Sequence, residues 1–428
     1  MATKFAIFLQ RGIGRNKIFS IYKLMPNTLT NIQKTAQNII NDPRKSLLKA
    51  KKLMSKLLTS YLWVGIILFI LGVTWYYRKQ VNKKSNNDTT IQTEYAALPL
   101  TIGPIPDIDA KFKLNDKQGT GHLRDYYIAS SYNSCCAGDF QNDYVSVIPL
   151  TEVIQQGVRV LDFALYLVDD DVVVGAGPTA SDNIKGTYNS IPVNGDNGIL
   201  SIINKYAFTA PCPNPSDPLF IHFRIKSKTK PQLFYGKLTK YIKDAFGGRL
   251  LSPKYGYEGR PEAPGGGTNL AIEPIKNLKN KIIIICDQET SNFRTTPFEE
   301  LVNMSTGSPY LQELKNYDVQ YTHDPDGLKE FNKKNMSLTT PDLSALNNNV
   351  PAQLHMSYGC QMICMNYANL DSNMKYYRDV FNDARTAFVL KPQHLRYKII
   401  KLPNPKPPDP KLSYAPKKIS LPMYQGEI

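Results

Sequence analysis

The first 41 residues contain no aspartate or glutamate, and the run LLTSYLWVGIILFILGVTWYY at 57–77 holds no charge of either sign. Tryptophan is nearly absent, and both copies, Trp63 and Trp75, lie in that run. From residue 85 onward the chain has almost no net charge, with 36 Lys+Arg against 35 Asp+Glu, although the whole carries +16. The surplus sits in residues 1–60, with 12 Lys+Arg against Asp42 alone, and in Arg78, Lys79, Lys83 and Lys84. A folded part without net positive charge argues against nucleic acid as a partner. A second Cys/His pair is also missing near CQMIC (Cys360 to Cys364), which excludes a zinc site there. The six cysteines, 135, 136, 212, 286, 360 and 364, fit either disulfides in an oxidising compartment or free core thiols. No internal repeat is present.

The uncharged run is 21 residues long. At 1.5 Å per residue, about 20 residues cross a hydrocarbon core. Its tryptophans and Tyr61, Tyr76 and Tyr77 lie near its ends, as interfacial aromatics do. A buried core helix is the competing reading, but such helices rarely run so far without a charge. The run begins too late for a cleaved signal peptide, so it is expected to stay as a single-pass anchor. Six basic residues (Arg44, Lys45, Lys49, Lys51, Lys52, Lys56) precede it and four follow, which favours a cytoplasmic N-terminus. Sequons at Asn87, Asn303 and Asn335 would be usable in that topology. The acid-free beginning fits a mitochondrial presequence or a polybasic segment against anionic lipid. The membrane stays open: cellular, mitochondrial or virion.

The chain divides by pattern into a basic segment (1–56), the span (57–77), a polar linker (78–117), two larger regions (118–288 and 313–397) joined by a loop-like stretch (289–312), and a Pro-rich tail (398–428) without a core. Strands are expected at 126–130, 158–166, 171–175, 219–225, 281–286, 317–322, 361–367 and 387–392, with helices at 150–156, 197–208 and 231–246. That alternation reads as α/β, most simply a parallel barrel.

Residues 359–396, GCQMICMNYANLDSNMKYYRDVFNDARTAFVLKPQHLR, resemble the Y region of eukaryotic phosphoinositide-specific phospholipase C. The family's pattern there is GCQMVALN, an M, an F, then GYVLKP and LR. Residues 126–286 resemble the X region: YYIASSYNSCCAGD against YFISSSHNTYLTGD, IQQGVRVLDFALY against LQRGCRCVELDVW, and NLKNKIIII against LKGKILI. The resemblance implies a distorted TIM-type (β/α)8 barrel of the phospholipase C-like phosphodiesterase type, preceded here by one transmembrane helix. It also implies a chemistry. Two histidines stabilise charge and move protons, and a calcium ion, held by an Asn and three acids, activates the inositol 2-hydroxyl.

Carried over residue by residue, that chemistry is mostly missing. The SHNTY histidine falls on Tyr132, and its neighbour, a calcium ligand, is kept as Asn133. The first acid of VELD aligns with Asp162 and the second with Ala164; the second histidine falls on Gly175, and the strand-four glutamate on Arg224. The headgroup-binding lysine becomes Ile285 and the arginine Thr340. Arg224 would set a fixed cation at the calcium position, so calcium, the family's cofactor, is not expected to bind. The metal-free bacterial branch uses an arginine in calcium's place, but takes it from strand two and keeps both histidines. His222 is expected as a packed core histidine.

Three readings follow. The first is a membrane-anchored, catalytically inactive barrel with a binding, scaffolding or structural role. Its partners would be membrane lipids, through the span and the basic N-terminal segment, and a protein of unknown identity. Within it, Arg224 either pairs with Asp162 or receives an anion at the mouth. The second is an active phosphodiesterase of altered, calcium-independent mechanism. The third is a structural membrane protein of a large DNA virus, suggested by Asn-, Lys- and Ile-rich composition.

Overall fold

The computed structural model describes residues 43–106, 121–138, 144–177, 184, 190–261, 263, 265–287, 292–342, 347–398 and 414–428. The chain forms two compact units, 1–83 and 84–428. In the first, helix α1 (Pro43–Ala96) carries the uncharged run with its large apolar side chains exposed. Among the described residues it is the one helix long and apolar enough to cross a membrane.

The second unit is a nearly closed barrel of eight parallel strands. They are β1 (Tyr126–Ser131), β2 (Val160–Val168), β5 (Leu219–Ile225), β6 (Ile282–Asp287), β7 (Val302–Thr306), β8 (Leu311–Lys315), β9 (Met336–Thr340) and β10 (Met362–Met365). They pair in the order β7-β6-β5-β2-β1-β10-β9-β8, so the one unpaired seam lies between β7 and β8. Runs such as LFIHFRI and IIIIC are buried on both faces, as strands sandwiched between a barrel interior and surrounding helices must be. Outside them pack α2 (Val147–Gln155), α3 (Ile199–Tyr206), α4 (Pro231–Phe246), α5 (Asn316–Gln320), α6 (Pro325–Lys334), α7 (Ala352–Ser357) and α8 (Ser372–Ala384). All six cysteines are buried as thiols, and no disulfide forms among the described residues.

Several sequence expectations need correction. The strand expected at 171–175 exists as β3 (Asp171–Gly175) but pairs antiparallel with β2 and with β4 (Ser190–Pro192), outside the barrel path. The one expected at 387–392 is β11 (Phe388–Leu390), antiparallel to β1. YDVQYT at 317–322 is not a strand, because Asp318 accepts the Lys315 N–H at 2.8 Å and caps α5. The stretch expected as the joining loop, 289–312, contains β7 and enters β8. The Pro-rich tail ends in an exposed hairpin, β12 (Lys418–Leu421) with β13 (Tyr424–Glu427). The Asn303 sequon is unusable as folded: Asn303 is buried, accepting the Ile284 N–H and donating to the Tyr255 carbonyl.

The linker expected from residue 78 is helical as far as Ala96, and its last part belongs to the barrel unit. Ile91 and Tyr95 are buried in the main core. The Tyr95 hydroxyl donates to the Tyr367 carbonyl at 2.6 Å, just past β10, and the Arg378 guanidinium lies 5.6 Å from the Tyr95 ring centroid. Asp88 accepts from Ser146, the N-cap of α2, at 3.0 Å. Beyond the helix, Thr101 bonds Asn382 of α8, and the Ile105 N–H donates to Asp217 just before β5. Residues 88–105 thus strap the β10–β1–β2 side of the barrel. Truncating Tyr95 to Ala is expected to cost about 3 kcal/mol, as for other buried aromatics. Denaturant unfolding of the full chain in micelles measures it, and a loss below about 1 kcal/mol would separate the strap from the fold.

Candidate active site

In a parallel barrel the chain ends of the strands form one rim, where loops present functional groups. β1 ends at Ser131, and the chain turns at Asn133, whose φ of 44° is left-handed, a conformation asparagine tolerates better than most residues. β2 and β5 run parallel with Asp162 beside His222 and Ala164 beside Arg224. This register puts the Arg224 side chain one layer above His222 and within reach of β2 and of the loop after β1.

The result is one bonded cluster. Arg224 Nε donates to Asp162 Oδ2 at 2.8 Å, and Nη2 donates to Asp162 Oδ1 at 2.8 Å. Nη2 also donates to Asn133 Oδ1. Nη1 donates to the Tyr132 hydroxyl at 3.1 Å, and the guanidinium carbon lies 4.5 Å from the Tyr132 ring centroid. The Asp162 carboxylate further accepts the Asn133 backbone N–H at 3.1 Å and faces His222 Nδ1 at 3.3 Å. Asp162 is fully buried and Arg224 only 6% exposed, so the pair is shielded from water. Four of the five guanidinium hydrogens are committed to these partners, which leaves one on Nη1. Forked recognition of an external oxyanion needs two. The arrangement is that of an internal ion pair.

The electrostatics follow from burial and pairing. Burial pushes the Asp162 carboxyl up, but Arg224 and then His222 outweigh it and hold it well below the usual carboxylate range. Asp162 holds Arg224 cationic against its burial. Burial lifts the Tyr132 hydroxyl to about 12, opposed in part by Arg224. A phenol that accepts from a guanidinium and ionises so late is unsuited to shuttling protons near neutrality.

The other positions carried over from sequence are equally committed. Ala164 has no ligand atom and is 3% exposed. A side chain at Gly175 would meet Ile184 Cγ2 at 3.0 Å from its Cβ and the Tyr166 ring at 3.3 Å, so one of these neighbours would have to give way. Ile285 is fully buried on β6 beside His222. Thr340 is buried on β9, and its hydroxyl accepts from Lys315 Nζ at 2.9 Å. His355 bonds Thr339 and Asn316 and is pushed down to about 4 by burial, which makes it a packed neutral imidazole.

Calcium does not fit this donor set. It asks for six to eight oxygens, whereas here a guanidinium spans the space between Asn133 and Asp162 and uses their oxygens. Among the described residues no group of three His, Cys, Asp or Glu side chains converges.

Sequence reading missed one cluster at the same mouth. Lys315 Nζ bonds Glu313 Oε1 at 2.5 Å, and Lys226, two residues past Arg224, is lowered to about 8 by burial and then by Arg224. The two-residue spacing from Arg224 signalled Lys226. Nothing local signalled Glu313 and Lys315, since LQELK does not read as a strand.

Known proteins resemble this chain in two ways. The family description "Phosphatidylinositol-specific phospholipase C, X domain" matches residues 120–287, and the corresponding Y domain matches 280–394. Among solved structures, that of L. pealei PLC21 is similar with a TM-score of 0.51 at 18% identity, covering 64% of this chain and 38% of that one. S. officinalis PLC21 is similar with a TM-score of 0.50 at 18% identity and the same coverage. The chain therefore spans 38% of the length of these structures, and at that identity they speak for the fold alone. No curated protein sequence matches it.

Replacing Arg224 with Met strands the Asp162 carboxylate in the core and is expected to cost about 3–5 kcal/mol at pH 7. The pH dependence has a definite sign. In the native chain Asp162 is depressed, so its contribution is present above its unfolded value, about 3.9, and fades as pH falls towards the folded one. In the variant, burial, opposed by His222 and the Asn133 backbone N–H, favours the protonated acid, so the deficit shrinks on acidification. Urea unfolding at pH 7 and pH 4.5 checks both, and an equal deficit at the two values would refute the pairing.

Proposed function

Because the chain belongs to the phosphatidylinositol-specific phospholipase C family, we propose that it is a membrane-anchored, catalytically inactive member whose barrel serves binding, scaffolding or structure. The observation that carries this reading is the Arg224 network. A cation takes the place of a calcium-binding acid and consumes the oxygens of Asn133 and Asp162. The two histidine positions add to it, as Tyr132 is bonded to that cation and Gly175 lies against Tyr166. In this reading α1 crosses the bilayer with the N-terminus cytoplasmic, the basic N-terminal segment lies against anionic lipid, and residues 84–428 meet an unidentified protein partner. Resistance of the full chain to alkaline extraction from membranes tests the anchor.

A second reading has its own support. Lys226, lowered to about 8, and Glu313 are titratable groups at the mouth outside the Arg224 network, and a calcium-independent phosphodiesterase would have to work through them. One assay separates the two. Full-length protein in mixed micelles with phosphatidylinositol is expected to release no inositol phosphate, with calcium or with chelator. Release that chelator abolishes would overturn the pseudoenzyme. Release that survives chelator and disappears in Lys226→Met would establish the second reading.

A further inference from the structure

The hairpin of β12 and β13 has two faces of opposite character. Cross-strand partners share a face. Lys418 opposes Glu427 and Ser420 opposes Gln425, whose side-chain amide donates to the serine hydroxyl at 3.3 Å; this face is polar. On the other face Ile419 opposes Gly426 and Leu421 opposes Tyr424, and the Tyr424 ring lies back over the glycine. Met423 stands in the two-residue turn. Leu421 is 58%, Tyr424 51% and Met423 97% exposed. A lone two-stranded hairpin is marginal in water, and an apolar face this open calls for a cover.

We propose that the cover is the interface of an anionic bilayer, the one that holds α1. This rests on the membrane-anchor reading above. Three observations select lipid over protein. Charge is the first: residues 398–428 hold six lysines against Asp409 and Glu427, whereas 85–397 hold 30 Lys+Arg against 33 Asp+Glu. The basic excess outside the N-terminal region therefore flanks the hairpin, complementary to anionic headgroups of the leaflet that it faces. Size is the second, because three side chains and a turn methionine fall far short of the roughly 800 Å² per partner of a stable protein interface. Chemistry is the third. Leucine and methionine suit the acyl boundary, and tyrosine, with an apolar ring and a wet hydroxyl, is enriched at headgroup depth. Attachment to an anchored chain also makes docking intramolecular, so a small face suffices.

The test uses the full chain with Met423→Cys. All six native thiols are buried, so a nitroxide reagent labels the turn selectively. In nanodiscs of phosphatidylcholine and phosphatidylserine, collision with oxygen is expected to exceed collision with a water-soluble nickel chelate severalfold. The preference should weaken in phosphatidylcholine alone and vanish in Leu421→Ser/Tyr424→Ser. A label open to the chelate shows a free hairpin, and one shielded from both reagents shows a protein cover; either overturns the proposal while leaving the anchor intact. Failure of the chain to enter nanodiscs removes the anchor and the proposal together.

Discussion

The barrel mouth is organised by one cation that cannot leave. Arg224 joins the loop after β1, the middle of β2 and the end of β5 through Tyr132, Asn133 and Asp162. A bound metal would hold the same three elements only while its concentration exceeded its dissociation constant. A guanidinium holds them at all times, but a second cation at the same place would face repulsion of several kcal/mol at intermediate dielectric. The one choice of arginine thus fixes the geometry of the rim and closes the metal chemistry that geometry would otherwise serve.

Several residues of the family signature do structural work away from the mouth. Gln361 donates its amide to the carbonyls of Arg124, Asn332 and Asn335 and accepts from Ser337, which ties β9 to the barrel's other end. Lys391, in VLKP, is buried and donates to the carbonyls of Asn332 and Gly359. Gly359 has a φ of 79°, which a residue with a side chain adopts only under strain. Asn366 closes the loop after β10 by donating to Asn347 and accepting from Ala368. Such groups satisfy buried polar atoms, and losing any one would cost more than most surface changes. The fold was legible in the sequence from what these buried residues require, and the residues that meet at the mouth, 132, 133, 162 and 224, from the family motifs in which they stand.

Less legible were elements whose stability comes from their surroundings. VNMST, LQELK and MSLTT hold few of the branched and aromatic residues that announce a strand, yet each completes the barrel by pairing with neighbours already in place. The polar residues 84–96 read as linker because Ile91 and Tyr95 are isolated among them, and only the groove between the loops after β1 and β10 makes them core. The tail looked coreless because its apolar residues alternate over only four positions a strand, too few to stand out beside seven prolines.

These features locate where the chain's remaining chemical capacity lies. The interior of the mouth is committed to itself, with Asp162 to Arg224, Glu313 to Lys315, and Thr340 to Lys315. The strap from Asp88 to Ile105 is likewise consumed by α2, α8 and the segment before β5. Among the described residues, uncommitted groups lie at the periphery: Lys226 at the rim, the exposed aromatic pair Tyr317–Tyr321 on and just after α5, and the two-faced hairpin. The charges at the barrel's centre are internally neutralised, and its uncommitted groups lie at the edges. Under the inactive reading proposed above, the free energy of any interaction would come from surface contacts, where many weak terms add.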